Sequence, residues 1–290
     1  MQENPAATGR GHIAWTLTML TACAMLAFAA NSLLARLALR TTPIDAATFT
    51  AVRLGAGALT LLCIVRIQGA ALAFTPTGWL SAALLFIYAA AFSFAYRDIS
   101  TGAGALILFS AAQLTMISYG LMKGERASAW GMLIACTGMA VFLAPSAGMD
   151  ALPLFAAMLM ATAGFAWGGF SLLAKSGGAP IVNTAASFIC TVPLAAALLL
   201  VQGGQLRFDG TGAIWALLSG SVTSALGYAI WYWVRVRLTA ISAGAVQLSV
   251  PVISALLGVL LLGETLTLKS AVSALAVLGG IAWVTLTARP

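Results

Sequence analysis

The chain of 290 residues is 61% hydrophobic and only 7% charged, with a mean hydropathy of +1.02, whereas soluble domains are roughly a quarter charged. That composition excludes a soluble globular enzyme, a disordered chain and a nucleic-acid binder. The formal charge of +7 comes from 14 Lys and Arg set singly along the sequence, so no basic patch forms and the charge is read as topology information.

A bilayer core about 30 Å thick needs roughly 20 apolar residues of helix. Ten runs approach that length: 12–35, 46–67, 78–95, 102–122, 128–144, 152–174, 181–201, 213–234, 241–262 and 270–287. The first run is too long for the apolar stretch of a secretory leader, and Arg10 is offset by Glu3, so despite the small-residue step Ala27-Phe28-Ala29 it is read as a retained helix. Pro, Gly and charge gather in short connections such as Thr41-Thr42-Pro43-Ile44-Asp45 and Arg207-Phe208-Asp209-Gly210. Function is therefore expected between the helices. With the N-terminus inside, Arg10, Arg66, Lys123, Arg126, Lys175, Arg235, Arg237 and Arg289 are cytoplasmic, against Arg36, Arg40, Arg97, Arg207 and Lys269 outside. Eight against five favours cytoplasmic termini, and a bacterial inner-membrane protein is expected.

Gly124-Glu125 follows the fourth run and Gly263-Glu264 the ninth, 139 residues apart. Upstream lie Ser100-Thr101-Gly102-Ala103-Gly104-Ala105 and Ala240-Ile241-Ser242-Ala243-Gly244-Ala245, in register after a one-residue gap. The expected fold is an all-α polytopic membrane protein of ten transmembrane helices, built as two five-helix repeats, 1–145 and 146–290. An odd number of helices per repeat inverts the second, a recurrent arrangement in secondary transporters.

Several features then match one family. Ala225-Leu226-Gly227-Tyr228-Ala229-Ile230-Trp231-Tyr232-Trp233, Ala243-Gly244-Ala245-Val246-Gln247-Leu248, Val250-Pro251 and Leu262-Gly263-Glu264, with Pro43 and Arg53 in the first half and Ala166-Trp167-Gly168 in the sixth run, resemble the EamA family of the drug/metabolite transporter superfamily. Overall similarity is greatest to its YddG-type aromatic amino-acid exporters. The resemblance implies a central cavity lined by helices 1, 3, 4, 6, 8 and 9 and export of small metabolites. One departure is Ala111-Ala112-Gln113 where the second half has Val250-Pro251-Val252, so a break in the fourth helix is not expected.

Polar and aromatic residues within spans are the candidate substrate-binding set: Asn31, Tyr88, Ser110, Gln113, Trp167, Tyr228, Trp231, Gln247 and Pro251. Lipid gives the amides no partner, so they should face other helices or water, and hydrogen-bonded packing between helices is the competing role for each Gln. Pro251 lacks a backbone N–H and should kink the ninth helix, as a hinge, a gate or a packed bend. Trp15, Trp79, Trp130, Trp215 and Trp283 lie nearer span ends and read as interfacial anchors.

Arg53 is the one charge deep in an apolar run, where it costs at least about 2.5 kcal/mol unless compensated. It could hold a substrate carboxylate, but the resemblance puts its helix outside the cavity set, so a structural pairing is favoured. Glu125 and Glu264 are expected to cap helix starts rather than couple protons. With no acid in mid-span, transport is expected to be facilitated, with a zwitterion held by Gln113, Gln247, helix dipoles and aromatic contact rather than by an ion pair. His12 is the sole histidine and Cys23, Cys63, Cys136 and Cys190 have no metal-ligand spacing, so no catalytic set, metal or cofactor is expected. The expected partners are a small-molecule substrate and the lipid bilayer, for a monomer. A cationic multidrug exporter of the same fold and a non-transporting membrane subunit are the alternatives.

Overall fold

The computed structural model describes residues 5–72, 74–124, 128–144, 153–173, 179–238 and 240–287, and every regular element among them is helical. In order these are α1 (Pro5–Thr41), α2 (Ala46–Ile67), α3 (Pro76–Ala95), α4 (Thr101–Met122), α5 (Ala129–Leu143), α6 (Leu154–Leu173) and α7 (Pro180–Gln202). They continue with α8 (Gly210–Leu218), a π-helical stretch (Ser219–Leu226), α9 (Gly227–Arg235), α10 (Ala240–Gln247), α11 (Ser249–Leu262) and α12 (Leu268–Thr287). Seven segments are long and apolar enough to cross a membrane, with α8, the π stretch and α9 running as one of them. Three shorter apolar helices lie at Ala129–Leu143, Ser249–Leu262 and Leu268–Val284.

The short α11 has a local cause. Pro251 cannot donate to the carbonyl of Gln247, and its ring crowds that same carbonyl. The helix accordingly breaks at Leu248, leaving α10 and α11. Helix α4, which lacks a proline, is unbroken. Gly124 and Gly263 follow α4 and α11 with φ of 91° and 63°, a left-handed conformation that glycine adopts without the steric cost a Cβ would bring. Both glycines thus stand at helix C-termini.

Helix pairs meet where side chains are small. A Cβ on Gly164 of α6 would collide with the backbone carbonyl of Leu108 in α4, and one on Gly220 with the carbonyl of Arg53 in α2. Such contact is a usual device in membranes, where helix association depends on close packing. The largest interfaces pair α5 with α12, α3 with α6, α2 with α7 and α4 with α6, and α4 and α1 each also pack on α11.

Two contacts tie connecting segments to one another. Asp45, the cap of α2, accepts from the backbone N–H of Ala47 (2.8 Å) and Thr48 (2.9 Å), from the Thr48 hydroxyl (2.5 Å) and from the N–H of Arg207 (2.7 Å) in the loop before α8. Lys269, at the start of α12, donates to the carbonyl of Ala144 after α5. Burial pushes the Asp45 carboxyl up, but the hydrogen bonds from Thr48, Arg207 and Ala47 outweigh it and hold the group below its ordinary value. A depressed native pKa stabilises the fold above the unfolded value, about 3.9, and that stabilisation is lost as pH falls through the native value. Asp45→Asn is therefore expected to be less stable than the parent near neutrality, with the gap closing in acid; unfolding midpoints of both proteins against pH check this.

Candidate functional site

The fold draws residues of six helices around Arg53. Its Nε donates to Ser224 Oγ (3.2 Å) of the π stretch, and its Nη2 to the hydroxyls of Tyr88 (3.1 Å) in α3 and Tyr228 (3.0 Å) in α9. The Tyr228 hydroxyl donates to that of Tyr88 (3.0 Å), which also receives Asn31 Nδ2 (3.2 Å) from α1. Asn31 Oδ1 accepts from Ser219 (2.6 Å) and Thr223 (3.1 Å). The guanidinium lies over the Phe92 ring at 4.7 Å and the Tyr88 ring at 5.2 Å, where cation–π attraction offsets part of the cost of burying charge.

The resemblance put the helix of Arg53 outside the cavity set, yet its guanidinium reaches in among the aromatic residues. Arg53 is 1% exposed, and contact between α2 and the π stretch at Gly220 delivers Ser224 to its Nε. The long side chain crosses from one helix to the hydroxyls of two others. A full guanidinium therefore occupies the centre of the aromatic cluster. No ion pair of Arg53 exists among the described residues.

Around this charge the aromatic rings close. Phe28 of α1 packs against Trp167 (5.2 Å between centroids), Tyr228 (5.8 Å) and Trp231 (5.7 Å), and Trp167 against Tyr88 (5.2 Å) and Tyr228 (4.8 Å). Trp167 Nε1 donates to Gln247 Oε1 (2.9 Å), which ties α6 to the last residue of α10. Asn31, Tyr88, Trp167, Tyr228, Trp231 and Gln247 are all buried, so the rings themselves fill the space between the helices.

The remaining candidates lie elsewhere. Gln113 donates to the carbonyl of Gly244 (3.0 Å), joining α4 to α10. Ser110 lines a groove between α4, α5, α6 and α12, and Pro251 another of about 300 Å³ between α4, α11 and α12. The face of α4 carrying Leu106 and Ile117 packs on Ala135, Val277 and Ile281, so it meets α5 and α12 rather than the aromatic cluster. Trp15, Trp79, Trp130 and Trp283 are exposed on the outside of the bundle. Phe28, Phe92, Ser219, Thr223 and Ser224 are members that sequence reasoning missed. The mid-span polar run Ser219-Gly220-Ser221-Val222-Thr223-Ser224 was the available signal, and π turns often mark functional sites.

A second polar centre lies at the end of the bundle. Glu264 accepts from the backbone N–H of Thr101 (2.9 Å) and from its hydroxyl (3.0 Å), and sits 3.5 Å from Arg36 Nε. Arg36 also donates to the carbonyls of Tyr96 (2.8 Å) and Arg97 (2.9 Å) after α3. The carboxylate thus caps α4, a distant helix, and not α12. Tyr96 is buried, edge-on to Phe92 at 4.6 Å. Glu125 lies outside the described residues. No cluster of His, Cys, Asp or Glu that could hold a metal occurs among the described residues.

A bundle of membrane-length helices around a polar, aromatic centre defines a multi-pass membrane protein. The model of the EamA-like transporter family matches residues 154–286. A Pseudomonas aeruginosa protein described as uncharacterized is 49% identical over 91% of this chain and 92% of its own. An Archaeoglobus fulgidus uncharacterized transporter is 29% identical over 63% of this chain and 67% of its own. A protein of known crystal structure superposes with a TM-score of 0.70 at 19% identity, over 92% of this chain and 98% of its own, a likeness of fold alone. The chain belongs to the EamA-like transporter family and is a membrane transporter.

Proposed function

We propose that this transporter exports small metabolites, aromatic or other apolar amino acids foremost, by alternating access across the bacterial inner membrane. The observation that carries the reading is the buried cluster of Phe28, Tyr88, Trp167, Tyr228 and Trp231 around Arg53. Flat apolar side chains fit ring surfaces, and the polar centre fits the polar end of an amino acid.

The chain acts as ten spans in two inverted halves, 1–145 and 146–290, with both termini cytoplasmic, as a monomer. Its contact pattern supports this arrangement. Exchanging each helix with its counterpart in the other half maps α4 on α11, α5 on α12 and α2 on α7 onto themselves, and turns α3 on α6 into α1 on α8 and α9; all of these pairs are in contact. The Asp45–Arg207, Glu264–Thr101 and Lys269–Ala144 contacts join loops that ten alternating spans would bring to one side.

Export is facilitated, driven by the substrate gradient. The acids among the described residues stand in loops or at helix ends, whereas coupling acids usually face the bundle interior. A cationic-drug exporter fits less well, because the cluster already holds a cation. Counterflow in liposomes containing the purified chain tests the reading. Labelled phenylalanine or tryptophan should exchange, with little change when a pH gradient is imposed, while cationic drugs should not compete. Exchange of cationic drugs alone, or accumulation that follows the pH gradient, would contradict it.

A further inference from the structure

A guanidinium carries five N–H donors and stays charged at any physiological pH. In Arg53 the Nε and Nη2 groups make the three hydrogen bonds described above, all to neutral hydroxyls. Nη1 is buried without a hydrogen-bond partner among the described residues, and so is the indole nitrogen of Trp231 in the same aromatic cluster. The acceptors around them are engaged. Asn31 Oδ1 holds two hydroxyls and Gln247 Oε1 holds the Trp167 indole. The centre therefore has one positive charge without an anionic partner, surplus donors, and no carboxylate of its own among the described residues. Charge and donors call for the same complement, an anionic acceptor. A structural ion pair would have supplied an acid, and an ammonium-binding site would have needed one.

Building on the transporter reading of this site, we infer that Arg53 receives the carboxylate of the transported molecule while Tyr88, Phe92, Trp167 and Tyr228 receive its ring. The ligand class is then the aromatic monocarboxylate, and the amino group of an amino acid contributes little to recognition. Tyr88 and Tyr228 are positioned to follow the carboxylate, since each hydroxyl already bonds the Nη2 beside the unpartnered Nη1. The rings fill the space in this structure, so entry of the ligand requires them to part.

The purified full chain in detergent provides the test, with two probes that each keep one end of phenylalanine. 3-Phenylpropionate has the ring and the carboxylate; phenethylamine has the ring and the ammonium. A ligand that binds the folded chain raises its unfolding temperature, and the shift grows with the logarithm of ligand concentration once that exceeds the dissociation constant. The expected result is a concentration-dependent upward shift with 3-phenylpropionate, and a concentration of phenethylamine at least about tenfold higher to reach the same shift, as an unpaired ammonium beside a guanidinium demands. Arg53→Met should abolish the shift with 3-phenylpropionate, and Arg53→Lys, which keeps the charge should the Met variant fail to fold, should retain it at higher ligand concentration. No shift with 3-phenylpropionate, an equal or larger shift with phenethylamine, or an undiminished shift in Arg53→Met would each overturn the assignment. Should the acid bind as expected but phenylalanine fail to exchange in liposomes, the amino-acid export reading falls and the carboxylate site stands. Phenylalanine exchange that proceeds equally well in Arg53→Met has the opposite meaning.

Discussion

Glu264→Ala is expected to cost about 3 kcal/mol of stability, as breaking a buried ion pair by removing one partner does. The Glu264 and Arg36 side chains are 7% and 8% exposed, so the orphaned guanidinium would keep only the Tyr96 and Arg97 carbonyls. The first N–H of α4 would also lose its acceptor. Four elements meet at this carboxylate: α1, the end of α3, the start of α4 and the turn after α11. Replacing both charges by Leu should recover much of the loss, because an apolar pair carries no unpaired charge. Unfolding midpoints of the parent, Glu264→Ala, Arg36→Leu and the Arg36→Leu/Glu264→Leu double variant form the comparison. A Glu264→Ala variant as stable as the parent, or a double variant less stable than either single, would show that the clasp does not hold the bundle.

Much of the helical framework was legible because it depends on local composition. Apolar runs bounded by Pro, Gly and Asp report spans directly, and the break at Leu248 follows from Pro251 four residues after Gln247. The matched positive φ of Gly124 and Gly263 falls on the same Gly-Glu step from which the repeat is proposed. The site was only partly legible, because its chemistry is assembled from residues far apart in sequence. Arg53 meets Tyr88 35 residues later and Tyr228 175 residues later, and no spacing rule links them. The Arg36–Glu264 clasp is hidden for the same reason: each residue reads locally as a helix-end charge. Phe28 looks like any apolar residue of α1 until its four aromatic neighbours surround it. Ser110 and Pro251 show the converse, since polarity or an irregular backbone within a span marks an interior position but not which groove it lines.

Changing Trp231 or Gln247 to Ala is expected to reduce transport far more than changing Trp79 or Trp283 to Ala. All four lie on membrane-length or apolar helices or just beside their ends, so hydropathy hardly separates them. Burial does. Trp231 is 1% exposed and Gln247 is fully buried, whereas Trp79 and Trp283 are each 54% exposed. Trp231→Ala removes the ring that packs on Phe28, and Gln247→Ala leaves the Trp167 indole without its acceptor. Both changes loosen the surface that would grip a flat solute, whereas the outer pair is half exposed on the outside of the bundle, as interfacial anchors are.

Initial rates of labelled phenylalanine counterflow in proteoliposomes, normalised to the amount of folded protein, test the account most directly, because its central claim is that the solute passes through the buried aromatic cluster. The account predicts a loss of at least about tenfold for Trp231→Ala and Gln247→Ala, equivalent to about 1.4 kcal/mol. Trp79→Ala and Trp283→Ala should stay within about twofold of the parent, as expected where only an interfacial anchor is removed. Four variants that transport equally well per folded molecule would contradict it.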